Sequence, residues 1–479
     1  MSQTSDAINS RNSPAMTEHV QPEALPQEAP QQETVEHPPL KTALGYWFKL
    51  GWISFGGPAG QIALLHDELV TRRHWISEKR FLHALNYCMI LPGPEAQQLA
   101  TYTGWLLHGR IGGILAGALF VLPSLFILMG LAWIYMVWGQ TVLLTGIFAG
   151  IKPAVTVIVL QAAWRLGTRV LKQAVLWGVA ATAFISAFLN VPFPLVIALA
   201  ALTGWLLNRA GYLSPSTAGH ATTQKTDKRR SALIDDHTSV PEHALLKARS
   251  IIGVLLMGVA LWALPIGVMA AIFGVQDPLV QMGWFFTKAA LLTFGGAYAV
   301  LPYVYQGAVS HYHWLSPTQM IDGLALGETT PGPLIMVVTF VAFVAGYQNL
   351  MLGEGQALAA GVLAACLTTW FTFLPSFVFI LAGAPLVERT RQMPRLTAPL
   401  TGISAAVVGF IVNLALFFAI HVLWEKKTLP TSFEMLWSGF NWPALAIMAL
   451  ATALLFWRKW GVMRVLLVCA GIGLGLSWV

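Results

Sequence analysis

Residues 47–57 read WFKLGWISFGG and residues 286–296 read FTKAALLTFGG. The two stretches lie 239 positions apart. At that same offset Lys49 matches Lys288, Trp75 matches Trp314, Ser77 matches Ser316, and Pro92-Gly93-Pro94 matches Pro331-Gly332-Pro333. Farther on the offset becomes 252, pairing Leu122-Pro123-Ser124 with Leu374-Pro375-Ser376 and Gly150-Ile151 with Gly402-Ile403, so one insertion of 252 − 239 = 13 residues separates the two registers near 347–360. Self-similarity at a fixed spacing marks two copies of one module.

The modules belong in a bilayer. Of 479 residues, 56% are hydrophobic and 10% charged, against roughly a quarter charged in a soluble domain. Apolar runs at 112–137, 141–163, 251–273, 357–384, 402–424 and 442–457 approach the roughly 20 residues that cross a hydrocarbon core of about 30 Å. The fold class expected is an all-α polytopic membrane protein. The net charge of +7 sits in a few loops, as topology signals do, and calls for no nucleic-acid partner. Cys88, Cys366 and Cys469 stand singly in apolar segments and read as packing residues. No nucleotide-binding loop, metal-ligand pair or nucleophile elbow is visible, so no cofactor, metal or enzymatic activity is expected.

Glycine and proline divide each module. Phe55-Gly56-Gly57-Pro58 interrupts the first apolar stretch because a Gly-Gly-Pro sequence cannot carry a helix through. The arms, about 44–55 and 58–70, are short enough for re-entrant segments, and 81–107 is broken likewise at Pro92-Gly93-Pro94. Loop charge favours hairpins over single crossings: 71–80, TRRHWISEKR, carries four basic residues, while the matching 306–317, QGAVSHYHWLSP, carries no Lys or Arg. Hairpins place the first loop inside and the second outside, as the positive-inside rule asks. On that reading 112–137 goes out, 141–163 returns to Arg165, Arg169 and Lys172, and 174–190 with 194–208 make a further pair of crossings.

The expected division is a disordered cytoplasmic tail (1–42), an N-terminal transporter repeat (43–209), a flexible cytoplasmic linker (210–249), a connecting transmembrane helix (250–274) and a C-terminal repeat (280–479). The connecting helix supplies one extra crossing, which turns the second copy upside down. Arg389, Arg391, Arg395, Arg458 and Lys459 then fall inside, and Lys426 and Lys427 are misfits outside. Inverted repeats with interrupted helices are the pattern of a secondary transporter with its site at the midplane.

Four breaks near the centre suggest an anion site. Pro58 and Pro94 suit a first helical turn, with Gly57 and Gly93 as small caps, and Pro333 after Gly332 repeats the arrangement. Helix starts direct unpaired N–H groups and about half a positive charge at whatever precedes them. Lys49 and Lys288 are the matched basic residues inside both hairpins; they read as cation partners for a dianion or as snorkelling residues. Gly56, Gly57, Gly295 and Gly296 allow close backbone approach or tight hairpin packing. Glu95 and Glu328, which are not repeat-equivalent, are candidates to carry a coupling proton, with a helix-start role as the alternative for Glu95. Gln61, Gln97, Gln98, Thr329 and Thr330 can donate to anion oxygens or bridge helices. Arg165 reads as a topology charge at a helix end.

The stretch Phe55 to Ile62 (FGGP-x-x-QI), Pro92-Gly93-Pro94 followed by Gln97, Phe294-Gly295-Gly296 with Pro302 after it, and Pro331-Gly332-Pro333 together resemble the chromate ion transporter (CHR) family in its long, two-domain form. The resemblance covers roughly 43–479 without the linker. It implies chromate export from the cytoplasm across a bacterial inner membrane, conferring resistance, driven by the membrane potential or a proton gradient. It also implies kinship to sulfate handling through the shared tetrahedral shape. The matched positions it carries are Phe55, Gly56, Gly57, Pro58, Gln61, Pro92, Gly93, Pro94, Phe294, Gly295, Gly296, Pro331, Gly332 and Pro333; Ala297 stands where the full pattern asks for the second Pro58. The expected partners are chromate or a sulfate-like oxyanion and the lipid bilayer, with a homodimer left open. The alternatives are a carrier or channel for sulfate, molybdate or phosphate, and, in another class, a lipid-phosphate flippase or membrane enzyme.

Overall fold

Apolar runs punctuated by Gly and Pro fold here as helices that stop at the punctuation. The computed structural model describes residues 36–212, 232–235, 248–294, 296–389, 397–424 and 439–478. The first copy holds α1 (Leu40–Ile53), α2 (Gly57–His66), α3 (Glu78–Ile90), α4 (Glu95–Trp138), α5 (Val142–Val170), α6 (Ala174–Phe188) and α7 (Phe193–Arg209). After α8 (Ala248–Phe273) the second copy holds α9 (Pro278–Leu291), α10 (Leu301–Tyr305), α11 (Pro317–Thr329), α12 (Val337–Gln348), α13 (Ala357–Arg389), α14 (Thr397–Leu423), α15 (Trp442–Thr452) and α16 (Val462–Leu476). Among the described residues there is no strand, only two isolated bridges.

Among the described residues, five helices are long and apolar enough to cross a membrane: α4, α5, α8, the Ala357–Pro385 part of α13 and the Ala398–Leu423 part of α14. The protein is an all-helical, multi-pass membrane protein. At 15 and 17 residues, α6 and α7 rise about 22 and 26 Å and match the expected segments 174–190 and 194–208 to within two residues at each end.

Both predicted breaks occur. Gly56 (φ 92°) separates α1 from α2, and in the second copy Gly296 (φ 103°), the match of Gly57 (φ 70°), also takes positive φ at the break. A break at Pro-Gly-Pro lies between α3 and α4 and again between α11 and α12. The two copies agree in detail: Asp67–Arg72 and Gln306–His311 are both π-helical turns, and His74 and His313 after them both have positive φ. α4 also reverses sharply at His108 and Gly109 (φ 63°), so its first three turns fold back on the long segment that follows.

Some boundaries move. Leu40 opens α1, and His37 Nε2 lies 2.9 Å from the Leu107 carbonyl oxygen, so the chain is docked from within the stretch expected to be a free tail. In the linker, residues 232–235 are held as well: Ile234 is buried and pairs in parallel with Ile76. That places this part of the linker beside the basic loop 71–80. Residues 1–35, 213–231, 236–247 and 390–396, together with Gly295, Lys426 and Lys427, lie outside the described residues.

Contacts between the copies are reciprocal. The Gly93 N–H donates to the Thr293 carbonyl (2.8 Å), and the Gly332 N–H donates to the Ser54 carbonyl (2.9 Å). Gly332 and Thr293 are Gly93 and Ser54 shifted by 239, so the turn of each copy bonds to the helix end of the other. The long helices repeat this exchange: α5 packs on α16, while α14 packs on α7. A Cβ on Gly150 would fall 1.9 Å from the Cys469 carbonyl oxygen, and one on Gly402 would fall 2.2 Å from that of Ala200. Both contacts are backbone-on-backbone packing of the small-residue kind found between membrane helices. Along each pair one helix advances as the other recedes, since Gly150 meets Cys469 while Gly146 meets Ser477, and Gly204 meets Ala398 while Gly402 meets Ala200. Both pairs are therefore antiparallel.

Candidate functional site

The Gly56-Gly57-Pro58 turn forms one wall of a cavity of about 540 Å³, within the roughly 300–1,000 Å³ typical of small-molecule sites. Its local geometry follows from the sequence. Gly56 and Gly57 take positive φ, a conformation that side chains with a Cβ resist, and Pro58 fits the first turn of α2, where its missing N–H leaves no gap in the helix. The ten-residue α2 thus begins at the cavity and turns the positive end of its dipole into it.

α5 supplies the opposite wall. Gln161, Arg165 and Arg169 line the cavity and recur every four residues, which places them on one face of the helix. Both guanidinium-bearing residues are solvent-exposed, whereas Gln161 is buried and donates to the Leu455 carbonyl (3.4 Å). Glu95 at the start of α4, Gly296, Tyr298 and Glu328 complete the rim. The Tyr298 hydroxyl donates to Glu328 Oε1. Arg165 acts electrostatically on Glu328 and Arg169 on Glu95. His66 and Glu78, bonded at 2.6 Å, close the edge nearest the basic loop. Two arginines and a helix start facing one water-accessible hollow can bind a small anion through charge-assisted hydrogen bonds.

The expected site residues divide. Gly56, Gly57, Pro58, Gly296, Glu95 and Glu328 come together here. Lys49 and Lys288 do not: both are exposed and neither lines the cavity. Phe55 is exposed, and it and Phe294 also lie off its surface. Pro92, Gly93, Pro94, Pro331, Gly332 and Pro333 sit deeper, where the N–H groups of Gly93 and Gly332 are consumed by the cross-copy bonds. Gln61 bridges that crossing, donating to the Gly332 carbonyl (2.6 Å) and the Ser54 carbonyl (3.2 Å). Gln97 bonds Thr101, and Gln98 bonds the Pro92 carbonyl. Thr329 and Thr330 bond carbonyls of their own helix.

Of four anticipated helix starts, two are regular. The second Gly-Gly is followed by a 3₁₀ turn, Ala297–Ala299, before the five-residue α10, and the second Pro-Gly-Pro by another, Leu334–Met336. Caps shift by one residue: Gly56, not Gly57, caps α2, and Pro94 caps α4.

Sequence reading did not anticipate the role of Arg165 and Arg169 as cavity walls, or Tyr298. It also missed a partly buried ion pair about 20 Å along α5 from Arg165 by helical rise: Lys152 Nζ lies 3.2 Å from Oδ1 of the buried Asp322, and the Tyr135 hydroxyl donates to Asp322 Oδ2 (2.9 Å). A lysine inside the run 141–163 and an aspartate inside α11 were the available signals.

A family model described as chromate transporter matches residues 42–205 and 280–475. Chromate transport protein from Pseudomonas aeruginosa is 33% identical over 367 residues, covering 76% of this chain and 77% of that protein. Chromate transport protein from Cupriavidus metallidurans is 27% identical, covering 79% and 82%. A probable chromate transport protein from Synechococcus elongatus is 27% identical, covering 88% and 96%. No solved structure matches. The two matched segments coincide with the two copies and leave out the linker and α8. The chain belongs to the chromate transporter family, and it is a transporter rather than an enzyme.

Proposed function

We propose that the protein exports chromate from the cytoplasm and binds the dianion in the cavity between the start of α2 and the Arg165–Arg169 face of α5. The observation that carries this reading is the convergence of a proline-started helix and two arginines on one open cavity, in a chain whose relatives are named for chromate transport. The antiparallel exchange of α5 with α16 and of α14 with α7 supports an inverted relation between the copies. The broken helices then act as re-entrant hairpins that enter from opposite faces. The residue-232–235 segment beside loop 71–80 supports a cytoplasmic mouth for the cavity.

An inside-negative potential favours outward movement of a dianion by about 2.3 kcal/mol per charge per 100 mV, or about 4.6 in total. Export therefore needs no proton. Glu328 adds a coupling, because its carboxylate lines the same cavity and repels an anion bound there. Protonating Glu328 removes a negative charge from the cavity wall, so proton and anion favour each other's binding.

In everted vesicles made interior-positive, labelled chromate is expected to accumulate above the level in vesicles lacking the protein; equal levels contradict the reading. With the potential clamped, chromate affinity is expected to fall as pH rises through the loss of the Glu328 proton. Glu328→Gln is expected to remove that dependence beyond what chromate's own protonation produces. An unaltered pH profile in the variant would exclude Glu328 as the coupling group.

A further inference from the structure

A second cavity, of about 360 Å³, lies among α6, α10 and α14. Two of its walls, on α10 and α14, are the repeat-equivalents of the α2 and α5 walls of the first. Shifted by 239, Ala63 and His66 of the first cavity become Pro302 and Tyr305 of the second; shifted by 252, Ile158 becomes Phe410. By the same shift, Gln161 becomes Asn413, Arg165 becomes Phe417 and Arg169 becomes His421. The amide is kept, but both arginines are replaced by rings. The Phe417 ring packs against Tyr305 (centroids 4.6 Å apart) and against His421 (3.8 Å), which narrows the hollow.

The copies also differ in closure. α10 and the turn before it pack on α14, and α11 packs on α5. The matching contacts, α2 on α5 and α3 on α14, are not made to any comparable extent, and the first cavity occupies the space between α2 and α5. Two equivalent vestibules therefore flank the crossed turns, one wider and lined with arginine, the other narrower and aromatic.

We propose that the second cavity is the release vestibule for the oxyanion, a low-affinity counterpart of the arginine-lined cavity. This inference rests on the export reading above. The presence or absence of guanidinium donors sets the affinities, not the direction of net flow, which the gradients determine. A dianion entering the second cavity meets the Asn413 amide but no fixed arginine, so it leaves readily and rebinds weakly from that side.

The test uses purified protein in proteoliposomes of known sidedness, with chromate supplied to one face at a time. For the unmodified protein, half-saturation from the face bearing loop 306–317 is expected at a concentration at least about ten-fold higher than from the face bearing loop 71–80. The double variant Phe417→Arg, His421→Arg is expected to bring the two within about three-fold, leaving the arginine-lined face unchanged. A variant that still transports but keeps the original asymmetry would overturn the proposal. A second measurement covers a variant that fails to fold: His421→Cys is expected to react with an impermeant thiol reagent from the 306–317 face, with chromate slowing the reaction. Reaction from the other face alone would overturn it. No chromate flux by unmodified protein at either face would instead refute the export reading, and this inference with it.

Discussion

Arg165→Gln is expected to lower the specificity of chromate transport, kcat/KM, by about 100-fold. A charge-assisted hydrogen bond contributes roughly 1.5–3 kcal/mol, and a guanidinium can form two such bonds in parallel to one tetrahedral oxyanion. Losing about 2.7 kcal/mol corresponds to that factor. Arg169, one turn along α5 and lining the same cavity, keeps the loss from being complete. Arg165→Lys retains the charge without the planar fork and is expected to lose about ten-fold. Folding is expected to stay within about 0.5 kcal/mol of the unmodified protein, because Arg165 is exposed in the cavity. Initial rates in proteoliposomes against chromate concentration decide the matter. An unchanged kcat/KM for Arg165→Gln would remove this arginine from the site.

The second large effect is on stability. Gly332 has φ 102°, and a Cβ added to it would lie 2.7 Å from Ser124 Cβ. Its N–H also holds the Ser54 carbonyl of the other copy. Gly332→Val forces a β-branched residue into a conformation costing about 1–3 kcal/mol and adds overpacking of similar size, for a total of roughly 3–5 kcal/mol. Gly93→Val is expected to be as severe, since a Cβ on Gly93 (φ 127°) would lie 2.2 Å from Ser376 Oγ, and Ser376 is Ser124 shifted by 252. Gly253→Ala is the control, with nothing within 4 Å of the added atom. Thermal unfolding in detergent should show large, similar losses for the two valine variants and little change for the control. Valine variants as stable as the control would contradict the crossed-turn arrangement.

The repeat and its interruptions were legible in the sequence because Phe-Gly-Gly and Pro-Gly-Pro recur at one offset and mark the helix breaks in both copies. How the copies grip each other was not legible. Spacing along the chain does not say that the Gly93 N–H finds Thr293 rather than a partner in its own copy, and that pairing takes the deep turns out of contention as free anion donors. Lys49 and Lys288 attracted notice because they match, yet a long flexible side chain near a helix end can lie on the protein surface, as both do here. Arg165 and Arg169 looked like loop charges because a helix end near the cytoplasm favours arginine for topology and for anion binding alike. Their four-residue spacing with Gln161 held the better clue, sharpened by its contrast with Asn413, Phe417 and His421 in the second copy. Ala297 in place of a second Pro58 foreshadowed unequal helix starts, and the 3₁₀ turn at that point is the physical outcome.

The account's central claim is that the two copies face opposite sides of the membrane and pass the anion between them. Its most direct measurement is the labelling of single cysteines introduced at Arg72 and at His311, matched positions of the two copies that are both exposed, with an impermeant thiol reagent on intact cells and on everted vesicles. The account predicts that Arg72→Cys reacts in everted vesicles and His311→Cys in intact cells. Reaction of both from one and the same side would contradict it.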